Sequence, residues 1–386
     1  MKIAISHLRH AHTGGTERHL NQVAAHLARL GHEVTIVCRS HESAPHPAVR
    51  FQELRSLALG ATWRLASFAR AVERHVAGAD YDVVYGLGRT WSQDVLRLGG
   101  GSHETYLELA HAATRVGLKR WLSVYEPKHR FALRAERRAL HAPRLRRIVV
   151  NARMVQRDIA RRHALPDALF ELIYNGVDLE RFHPGRRATA GAALRAQLGI
   201  SPAERVVLFL GTGYARKGLD LALHACAALP AGSARLLVAG YDSAQPVYES
   251  LAARLGLGGR AHFLGGRRDA EAVYAAADLY LLPTRYDPFA NTTLEALAAG
   301  LPALTTTANG AHELIEPGVQ GSVFTLADPA AAWTAEIARW LGAERLAAGS
   351  AAARRLAEAH SVDSKMAQTA ALLTAVARER RGAVPA

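Results

Sequence analysis

The chain has no long hydrophobic run. Nothing in its 386 residues approaches the roughly 18 consecutive apolar residues that a membrane-spanning helix needs. The opening, MKIAISHLRH, has too few apolar positions before His7 and Arg9 to form the apolar core of a secretory signal. We therefore expect a cytoplasmic protein without a transmembrane segment.

Cysteine is scarce. Cys38 and Cys226 stand far apart in apolar segments and match neither a disulfide framework nor a metal-ligand spacing. The segment HETYL (103–107) lacks the second histidine of a zinc-protease motif, and histidine and cysteine do not cluster elsewhere. We predict two reduced, buried thiols, no metal and no cofactor.

Acidic residues are few relative to basic ones. The formal net charge is +14, and residues 115–162 contain fifteen Lys or Arg against three acids. Such a segment can bind nucleic acid, anionic lipid or a phosphorylated acceptor, or can be a solvated surface. Its aromatic residues Trp121, Tyr125 and Phe131 recur at helical spacings, which favours a packed face over base stacking. Nucleic acid is thus the less favoured partner, and peripheral contact with an anionic inner membrane is our hypothesis.

What the chain does have is a regular alternation of apolar runs with amphipathic helical patterns. Between KIAIS and EVTIVC, for example, Leu20, Val23 and Leu27 share one helical face. Strand, helix and strand in this rhythm imply parallel pairing. The strands predicted in this way cover 2–6, 33–38, 81–86 and 147–150 in the first half, and 205–211, 234–240, 260–266, 278–284 and 301–307 in the second.

These two series predict an α/β fold of two tandem Rossmann-like doubly wound domains with a ligand cleft between them. The first domain is predicted over residues 1–178 and the second over 179–361, with a linker rich in Gly and Pro near their junction. The remaining segment, 362–386, is predicted to be a helix that packs back on the first domain.

The segment RYDPFANTTLEALAAG follows a predicted strand of the second domain. Asn291 or Thr292 is predicted to cap a helix there, and the free N–H groups at such a helix start suit an anion such as phosphate. Glu295 is expected in the first turn, near that anion. A purely structural capping role for Glu295 remains an open alternative.

The segment GTGYARKGLD opens the second domain after its first strand. Arg216 occupies the position where a dinucleotide-binding motif would have its third glycine, which argues against a Rossmann cofactor site. Arg216 and Lys217 on a glycine-flanked loop can instead grip a diphosphate without a metal. At the start of the chain, Gly14 and Gly15 stand between a strand and a helix and allow a ligand close to the backbone.

Several segments in this order resemble the retaining glycosyltransferases of family 4, which have the GT-B fold. Within that family, RLGGGSHETYLE and PRLRRIVVNARMV resemble most closely the lipopolysaccharide core glucosyltransferase group. The resemblance implies transfer of a sugar from a nucleoside-diphosphate donor, UDP-glucose being typical, to a glycan or glycolipid acceptor. The segments that carry it are TGGTERHLNQVAAHLARLGHEVTIV, NARMVQRDI, IYNGVDLERFHP, GTGYARKGLD and AADLYLLPTRYDPFANTTLEALAAGLPALTTTANGAHELI.

The resemblance also implies a role for each matching residue. The first domain would hold the acceptor and the second the donor. Arg216 and Lys217 would stabilise the leaving diphosphate, and Glu295 would accept hydrogen bonds from the donor ribose. The other implied donor contacts are the amides of Asn291, Thr292 and Thr293 on the phosphates, Gly14 and Gly15 on the phosphate-sugar portion, His103 on the transferred sugar, and Gly240 with 265–267, including Arg267, around the base.

The chain departs from the family pattern at Asp287. The family has two glutamates eight positions apart, and this chain has Asp287 and Glu295. The shorter aspartate leaves open whether it holds the transferred sugar or orients its loop. In the family, retention of the anomeric configuration is explained by attack on the face that the diphosphate leaves. In such a mechanism the protein must supply positioning and cationic stabilisation.

Three other interpretations use fewer of these features. Asp287 and Glu295 as a glycosidase pair would leave the ARK loop without a role. The Asp-x-Asp at 80–82 resembles a metal motif of another glycosyltransferase fold, but it precedes a predicted strand and so falls at the amino-terminal edge of the sheet. A nucleotide-sugar epimerase would share the two-domain fold and turn over the donor without an acceptor.

Overall fold

The computed structural model describes residues 1–11, 14–57, 59–112 and 126–382. They form two compact units, Met1–Tyr174 with Val362–Ala386, and Asn175–Ser361. The basic residues predicted at 115, 119 and 120, and Trp121 and Tyr125, lie outside the described residues. None of the helices in the described ranges is long and apolar enough to span a membrane.

The first unit is built on a seven-stranded parallel sheet in the order β3-β2-β1-β4-β5-β6-β7. Its strands are β1 (Lys2–Ser6), β2 (Glu33–Cys38), β3 (Val49–Glu53), β4 (Val83–Gly86), β5 (Val95–Arg97), β6 (Arg147–Val150) and β7 (Phe170–Leu172). Its helices are α1 (Gly15–Arg29), α2 (Gly60–Gly78), α3 (His103–Ala112), α4 (Pro127–Leu140), α5 (Arg153–His163) and α14 (Val362–Gly382).

The second unit has a six-stranded parallel sheet in the order β10-β9-β8-β11-β12-β13. Its strands are β8 (Val206–Leu210), β9 (Arg235–Ala239), β10 (Ala261–Gly265), β11 (Leu279–Leu282), β12 (Ala303–Thr306) and β13 (Gly321–Phe324). Its helices are α6 (Ala190–Gln197), α7 (Tyr214–Lys217), α8 (Leu219–Ala227), α9 (Gln245–Arg254), α10 (Ala270–Ala276), α11 (Asn291–Ala298), α12 (Ala330–Trp340) and α13 (Ala343–Glu358).

The predicted fold class of two doubly wound α/β units is confirmed. The strands that sequence reasoning did not predict are short or mixed in polarity. β5 and β7 have three residues each, β13 has four, and β3 at the sheet edge has one buried position among half-buried and exposed ones. Such segments do not give the apolar run by which the central strands are recognised.

Each sheet has one switch point, where the chain changes the direction in which it adds strands. In the first sheet it lies between β1 and β4, and in the second between β8 and β11. Loops that leave the carboxyl ends of these two strands diverge to opposite faces and leave a crevice. The loops after β8 and β11 carry the predicted donor residues Arg216, Lys217 and Asp287.

The C-terminal helix α14 belongs to the first unit. Its side chains Met366, Leu373 and Val376 are buried in one cluster with Ile3 and Ile5 of β1. Because this contact joins the last helix to the first strand, the first unit includes both ends of the described chain.

A buried carboxylate anchors the amino-terminal end of the second sheet. Asp278, immediately before β11, accepts hydrogen bonds from the guanidinium of Arg195 at 2.6 Å and from the amide of Val206 at 2.8 Å. Arg187 donates to its other oxygen. Burying a charge is tolerated when it is paired and hydrogen-bonded in this way.

We expect Asp278→Asn to lower the free energy of unfolding of the second unit by about 3 kcal/mol, because it leaves the buried guanidinium of Arg195, and the more exposed one of Arg187, without their anion. The measurement is urea unfolding followed by circular dichroism. Glu358→Gln, which breaks the exposed helical pair of Glu358 with Arg354, is the matched control and should cost below about 0.5 kcal/mol. Equal costs for the two variants would contradict the anchoring role.

Candidate functional site

Arg216 and Lys217 lie at the carboxyl end of β8, on the one-turn helix α7. This turn is enclosed by Gly213 and Gly218, whose φ angles are 80° and 78°. A Cβ atom on Gly218 would lie 2.0 Å from the carbonyl oxygen of Pro283, so only glycine allows the turn to approach the end of β11 so closely. The glycine therefore brings the two cations next to the segment that follows β11.

Asp287 joins the two cations. Its Oδ2 accepts a hydrogen bond from Arg216 Nη1 at 3.2 Å and another from Lys217 Nζ, while Oδ1 accepts from the Phe289 amide at 3.1 Å. Burial alone would raise the pKa of Asp287, but the charges and hydrogen bonds of Lys217 and Arg216 outweigh it and hold the pKa below its ordinary value. The carboxylate is thus ionised near neutral pH.

Helix α11 starts differently from the sequence-based expectation. Neither Asn291 nor Thr292 is the cap: the cap residue is Ala290, which makes no side-chain capping bond, and Asn291 is the first helical residue. The amide of Thr293 already donates to the Ala290 carbonyl oxygen at 2.9 Å. Within the described residues, the Asn291 and Thr292 amides have no acceptor, so two of the three predicted amides are open to an anion.

Glu295 lies in the second turn of α11 and not in the first, because the helix begins at Asn291. The residue is 9% exposed, and its Oε2 accepts a hydrogen bond from the Tyr274 hydroxyl at 2.9 Å. That hydroxyl also lies 3.2 Å from the Thr292 carbonyl oxygen. The start of α11 has no side-chain capping bond, so Glu295 is not a cap of its own helix, and its hydrogen bond to Tyr274 is a contact with another helix.

Sequence reasoning missed the side chains that fix this region. Tyr274 belongs to an apolar helical stretch that gives no sign of function. Tyr280 donates to Thr292 Oγ1 at 2.7 Å, and buried Asn309 donates to Thr293 Oγ1 at 2.9 Å. Only Asn309 had a detectable signal, since it is a polar residue in the loop after a buried strand.

Gly240 and Arg267 lie at the carboxyl ends of β9 and β10, on the same sheet edge. Gly240 has a φ of 123°, and a Cβ there would lie 2.1 Å from the Gly211 carbonyl oxygen, so backbone packing alone requires this glycine. Arg267 makes a two-pronged contact with Asp269 at 2.9 and 2.6 Å. Their contacts with a base stay a prediction.

Gly14 and Gly15 lie at the start of α1 in the first unit. Gly14 is the cap residue with a φ of 108°, and a Cβ there would lie 2.2 Å from Glu17 Oε2. The Glu17 carboxylate in turn lies 3.6 Å from His7 Nε2. An anionic side chain of the protein itself therefore packs against the predicted glycine turn.

His103 is the first residue of α3 and is 9% exposed. The Arg89 guanidinium lies 3.0 Å from its Nδ1, which must then accept, so the ring proton is on Nε2 and is directed at His129 Nδ1, also at 3.0 Å. Burial, then the charges of Arg89 and His129, lower the pKa of His103 to about 4. The ring is neutral at pH 7, and both of its nitrogens are engaged.

The chain matches two known family profiles. Glycosyltransferase Family 4 matches residues 13–181, and Glycosyl transferases group 1 matches residues 204–343. A D-inositol 3-phosphate glycosyltransferase of Mycobacterium sp. (strain KMS) is 30% identical over 334 residues, which are 80% of this chain and 74% of the relative. The chain belongs to glycosyltransferase family 4.

Solved structures agree with this fold. WaaG, a glycosyltransferase involved in lipopolysaccharide biosynthesis, aligns with a TM-score of 0.78 at 23% identity, over 96% of this chain and 99% of its own. Anabaena HepE in complex with UDP and glucose aligns with a TM-score of 0.70 at 21% identity, over 97% and 100%. These identities establish the GT-B fold for this glycosyltransferase and nothing finer.

The Asp-x-Asp of the glycosyltransferase lies at the amino-terminal edge of the first sheet. Asp80 and Asp82 precede β4, and Asp82 accepts from the Lys2 amide at 2.8 Å and pairs with Arg381 at 2.6 Å. In the part of the chain that the structure describes, no group of three or more His, Cys, Asp or Glu is placed to hold a metal ion.

We expect the glycosyltransferase to lose stability as the pH falls from about 6.5 to 4. Over this range the unfolded His103 binds a proton and the folded one does not, so its contribution to the unfolding free energy decreases with falling pH, by up to about 3 kcal/mol. Urea unfolding at several pH values should give His103→Gln a shallower decline than the unmodified protein. Identical pH slopes would contradict the buried neutral ring.

Proposed function

We propose that the glycosyltransferase moves a sugar from a nucleoside-diphosphate donor, with a UDP-sugar favoured, to a glycan or glycolipid acceptor. The observation that carries this proposal is that Arg216 and Lys217 both pair with Asp287, beside the open amides at the start of α11. Two cations and two free N–H groups at a switch point suit a diphosphate. The UDP in the HepE structure supports the choice of donor.

Arg216 and Lys217 would both hold the diphosphate, but they differ in how accessible they are. The Lys217 side chain is 7% exposed and that of Arg216 is 34% exposed, so the arginine is the more accessible to a ligand. As the bond to the sugar breaks, negative charge grows on the leaving diphosphate, and a cation already in place stabilises it without reorganisation. Asp287 would keep both side chains oriented before the donor binds.

Glu295 would hold the donor ribose through its carboxylate. The Tyr274 hydroxyl fixes one oxygen at 2.9 Å, which orients the side chain before any ligand enters. Ribose hydroxyls would then donate to an ionised acceptor, a stronger hydrogen bond than a neutral one. His103 on the sugar, and Gly14 and Gly15 at the phosphate-sugar portion, stay part of the proposal.

The reaction is proposed to retain the anomeric configuration and to need no metal ion. In this mechanism the acceptor attacks from the face that the diphosphate leaves, and a phosphate oxygen takes its proton. The residues at the proposed site supply cations and fixed dipoles, which is what such a step requires of the protein. For the acceptor, the relatives' D-inositol 3-phosphate and WaaG's lipopolysaccharide role are two precedents.

We expect Glu295→Gln to weaken UDP-sugar binding about tenfold or more, because ribose loses charge-assisted hydrogen bonds of about 1.5–3 kcal/mol. Arg216→Gln should lower turnover more than donor affinity, since its charge counts most in the transition state. The measurements are isothermal titration with UDP-glucose and other UDP-sugars, and donor turnover in the presence of EDTA.

Glu249→Gln is the matched control for this experiment, since Glu249 is an exposed carboxylate on α9. Its donor affinity should equal that of the unmodified protein. Unchanged donor affinity in Glu295→Gln would remove the ribose role, and full loss of turnover in EDTA would contradict the metal-free reaction.

We also propose that the first unit contacts an anionic membrane through the outer faces of α4 and α5. Helix α4 buries Ala132, Ala135 and Ala139 and exposes a basic face. The exposed basic residues of the two helices are Lys128, Arg130, Arg134, Arg137, Arg138, Arg153, Arg157 and Arg161. Such a face is attracted to anionic lipid by about 1 kcal/mol for each basic residue near the surface.

We expect the double variant Arg134→Gln and Arg137→Gln to weaken binding to vesicles with anionic lipid about thirtyfold, which corresponds to about 2 kcal/mol. Co-sedimentation with anionic and neutral vesicles measures it. The control is the double variant Arg254→Gln and Arg355→Gln, which removes two exposed arginines of the second unit. Equal binding of the unmodified protein to neutral and anionic vesicles would refute the membrane contact.

A further inference from the structure

The second unit has a cavity of about 260 Å³ at the amino-terminal edge of its sheet. Arg205 and Asp278 stand in its wall immediately before β8 and β11, whereas the proposed diphosphate site follows the same two strands at the opposite edge. The volume lies below the roughly 300–1,000 Å³ of drug-sized sites, which suits a ligand smaller than a nucleotide sugar. The residues that matter here are Arg187, Arg205, Tyr274, Asp278, Gly300 and Ser350.

Positive charge exceeds negative charge around this cavity. The guanidinium groups of Arg187, Arg195 and Arg205 all lie within 4.0 Å of one carboxylate, that of Asp278. Three cations against one anion leave a surplus of two positive charges at this edge of the sheet. Two of the cavity's charged residues, Arg187 and Asp278, bond each other, so an incoming anion depends chiefly on the third.

That third residue, Arg205, has donors to spare. Its Nη1 lies 4.0 Å from Asp278 Oδ1, which is beyond hydrogen-bond distance, and its side chain is 35% exposed. The carboxylate of the preceding residue, Glu204, pairs instead with Arg235 at 2.6 Å. In the part of the chain that the structure describes, the Arg205 guanidinium has no hydrogen-bond acceptor. Its N–H groups are therefore available to a ligand in the cavity.

The rest of the wall is largely apolar and built of small residues. It consists mainly of alanine, leucine and proline residues from the turn at 184–188, the end of α10, the loop after α11 and the start of α13. Gly300 has a φ of 77°, and a Cβ there would lie 2.9 Å from Ser350 Oγ, so the glycine leaves room for that hydroxyl. A cationic end and an apolar remainder suit a small anion that carries an apolar group.

Tyr274 connects this cavity with the proposed donor site. It lies in the cavity wall on α10, and its hydroxyl donates to Glu295 Oε2 at 2.9 Å. The loop after α11, at 299–301, also lines the cavity, while the first turn of the same helix carries the open amides. A ligand that packs in the cavity therefore contacts two elements that form the proposed donor site.

We propose that this cavity binds a small phosphate monoester with a short apolar group, and that the bound ligand strengthens donor binding through Tyr274. A phosphate monoester carries a charge of about −1.5 to −2 at pH 7, which balances the surplus guanidinium charge. Packing of the ligand against the wall restricts Tyr274 and keeps Glu295 oriented, so that less order has to be imposed when the donor binds. The effect on the donor rests on the proposed function, whereas the anion site does not.

The first experiment is isothermal titration of the full chain with n-butyl phosphate at constant ionic strength, with saturating UDP present to occupy the proposed diphosphate site. We expect Arg205→Gln to reduce the affinity about tenfold, because it removes a charge-assisted contact. Arg205→Lys should retain part of the affinity. The matched control is Arg254→Gln, which changes an exposed arginine of α9 and should leave the affinity unchanged.

A second pair of variants tests the shape of the cavity without changing its charge. Ala347→Phe, at an exposed position of α13 in the cavity wall, should fill the cavity and prevent n-butyl phosphate from binding. Its control is Ala348→Phe, at the neighbouring exposed position. Circular dichroism of each variant checks folding.

Inorganic phosphate and n-butanol separate the two ends of the ligand. Inorganic phosphate should bind more weakly than n-butyl phosphate, and n-butanol should not bind. The proposal is overturned if n-butyl phosphate does not bind, or if inorganic phosphate binds as tightly. It is also overturned if the affinity is equal in Arg205→Gln and Arg254→Gln, which would indicate an adventitious ion only.

The second experiment measures the effect on the donor. Saturating n-butyl phosphate should raise the affinity for UDP-glucose about fivefold, and UDP-glucose should raise the affinity for n-butyl phosphate by the same factor, because coupling between two sites is reciprocal. Competition at the diphosphate site would lower the affinity, so an increase identifies a separate site. In Tyr274→Phe, n-butyl phosphate should still bind but should no longer change UDP-glucose affinity. An unchanged or lowered UDP-glucose affinity in the unmodified protein would overturn the coupling.

Failure of this inference differs from failure of the proposed function. If the unmodified protein does not bind UDP-glucose, the donor proposal fails, and the titrations of Arg205→Gln and Ala347→Phe still decide the anion site. If Arg205→Gln binds UDP-glucose normally and no longer responds to n-butyl phosphate, the cavity is supported as a separate regulatory site.

Discussion

The carboxylate of Asp287 bridging Arg216 and Lys217 is the contact on which the arrangement of the second unit's candidate site depends. Two like charges on adjacent residues of one short turn repel each other, and a shared counterion converts that repulsion into a fixed geometry. Because Asp287 comes from the segment after β11 and the cations from the turn after β8, the bridge crosses the switch point of the sheet. The crevice thus contains paired cations before any ligand arrives.

A shell of neutral hydrogen bonds keeps that bridge in place. The Asp287 amide donates to the Ala308 carbonyl oxygen at 2.9 Å, and Asn309 Oδ1 accepts from the Ala290 amide at 3.0 Å. Asn309 is fully buried and reaches Thr293 and Thr305 with its amide nitrogen. The loops after β11 and β12 are therefore held as one body, which suits a site that must be formed in advance of its substrate.

The substitution of aspartate for the family's first glutamate can be interpreted in the same terms. The shorter side chain reaches the cations of its own protein, and both of its oxygens are occupied by protein donors. We infer that Asp287 acts chiefly as the residue that positions Arg216 and Lys217. Glu295 accepts a hydrogen bond from the Tyr274 hydroxyl, and we propose that it also accepts hydrogen bonds from the donor ribose.

Sequence reasoning predicted the central strands and the two-unit architecture because a long buried strand appears in the sequence as a continuous apolar run. It also selected the ARK turn and Glu295, since glycine-flanked cations and an acid near a helix start are local patterns. It misjudged the first turn of α11: capping preferences favoured Asn291 and Thr292, but tertiary bonds from Asn175 and Tyr280 occupy their side chains. Tyr274 gave no local signal, and its partner Glu295 is 21 residues away. Asn309 was detectable as a polar loop residue, but its partner Thr293, 16 residues away, could not be deduced from the sequence.

The arginines of the first unit show the same limit of sequence reasoning. The basic surplus of the sequence is concentrated in residues 115–162, where many charges are close along the chain. Arg89 and Arg97 lie outside that segment, and only the pairing of β4 with β5 places the loops that carry them side by side. Strand pairing decides which basic side chains become neighbours, and that pairing cannot be counted along a sequence. Topology, more than net charge, therefore determines which basic residues of this glycosyltransferase lie close together.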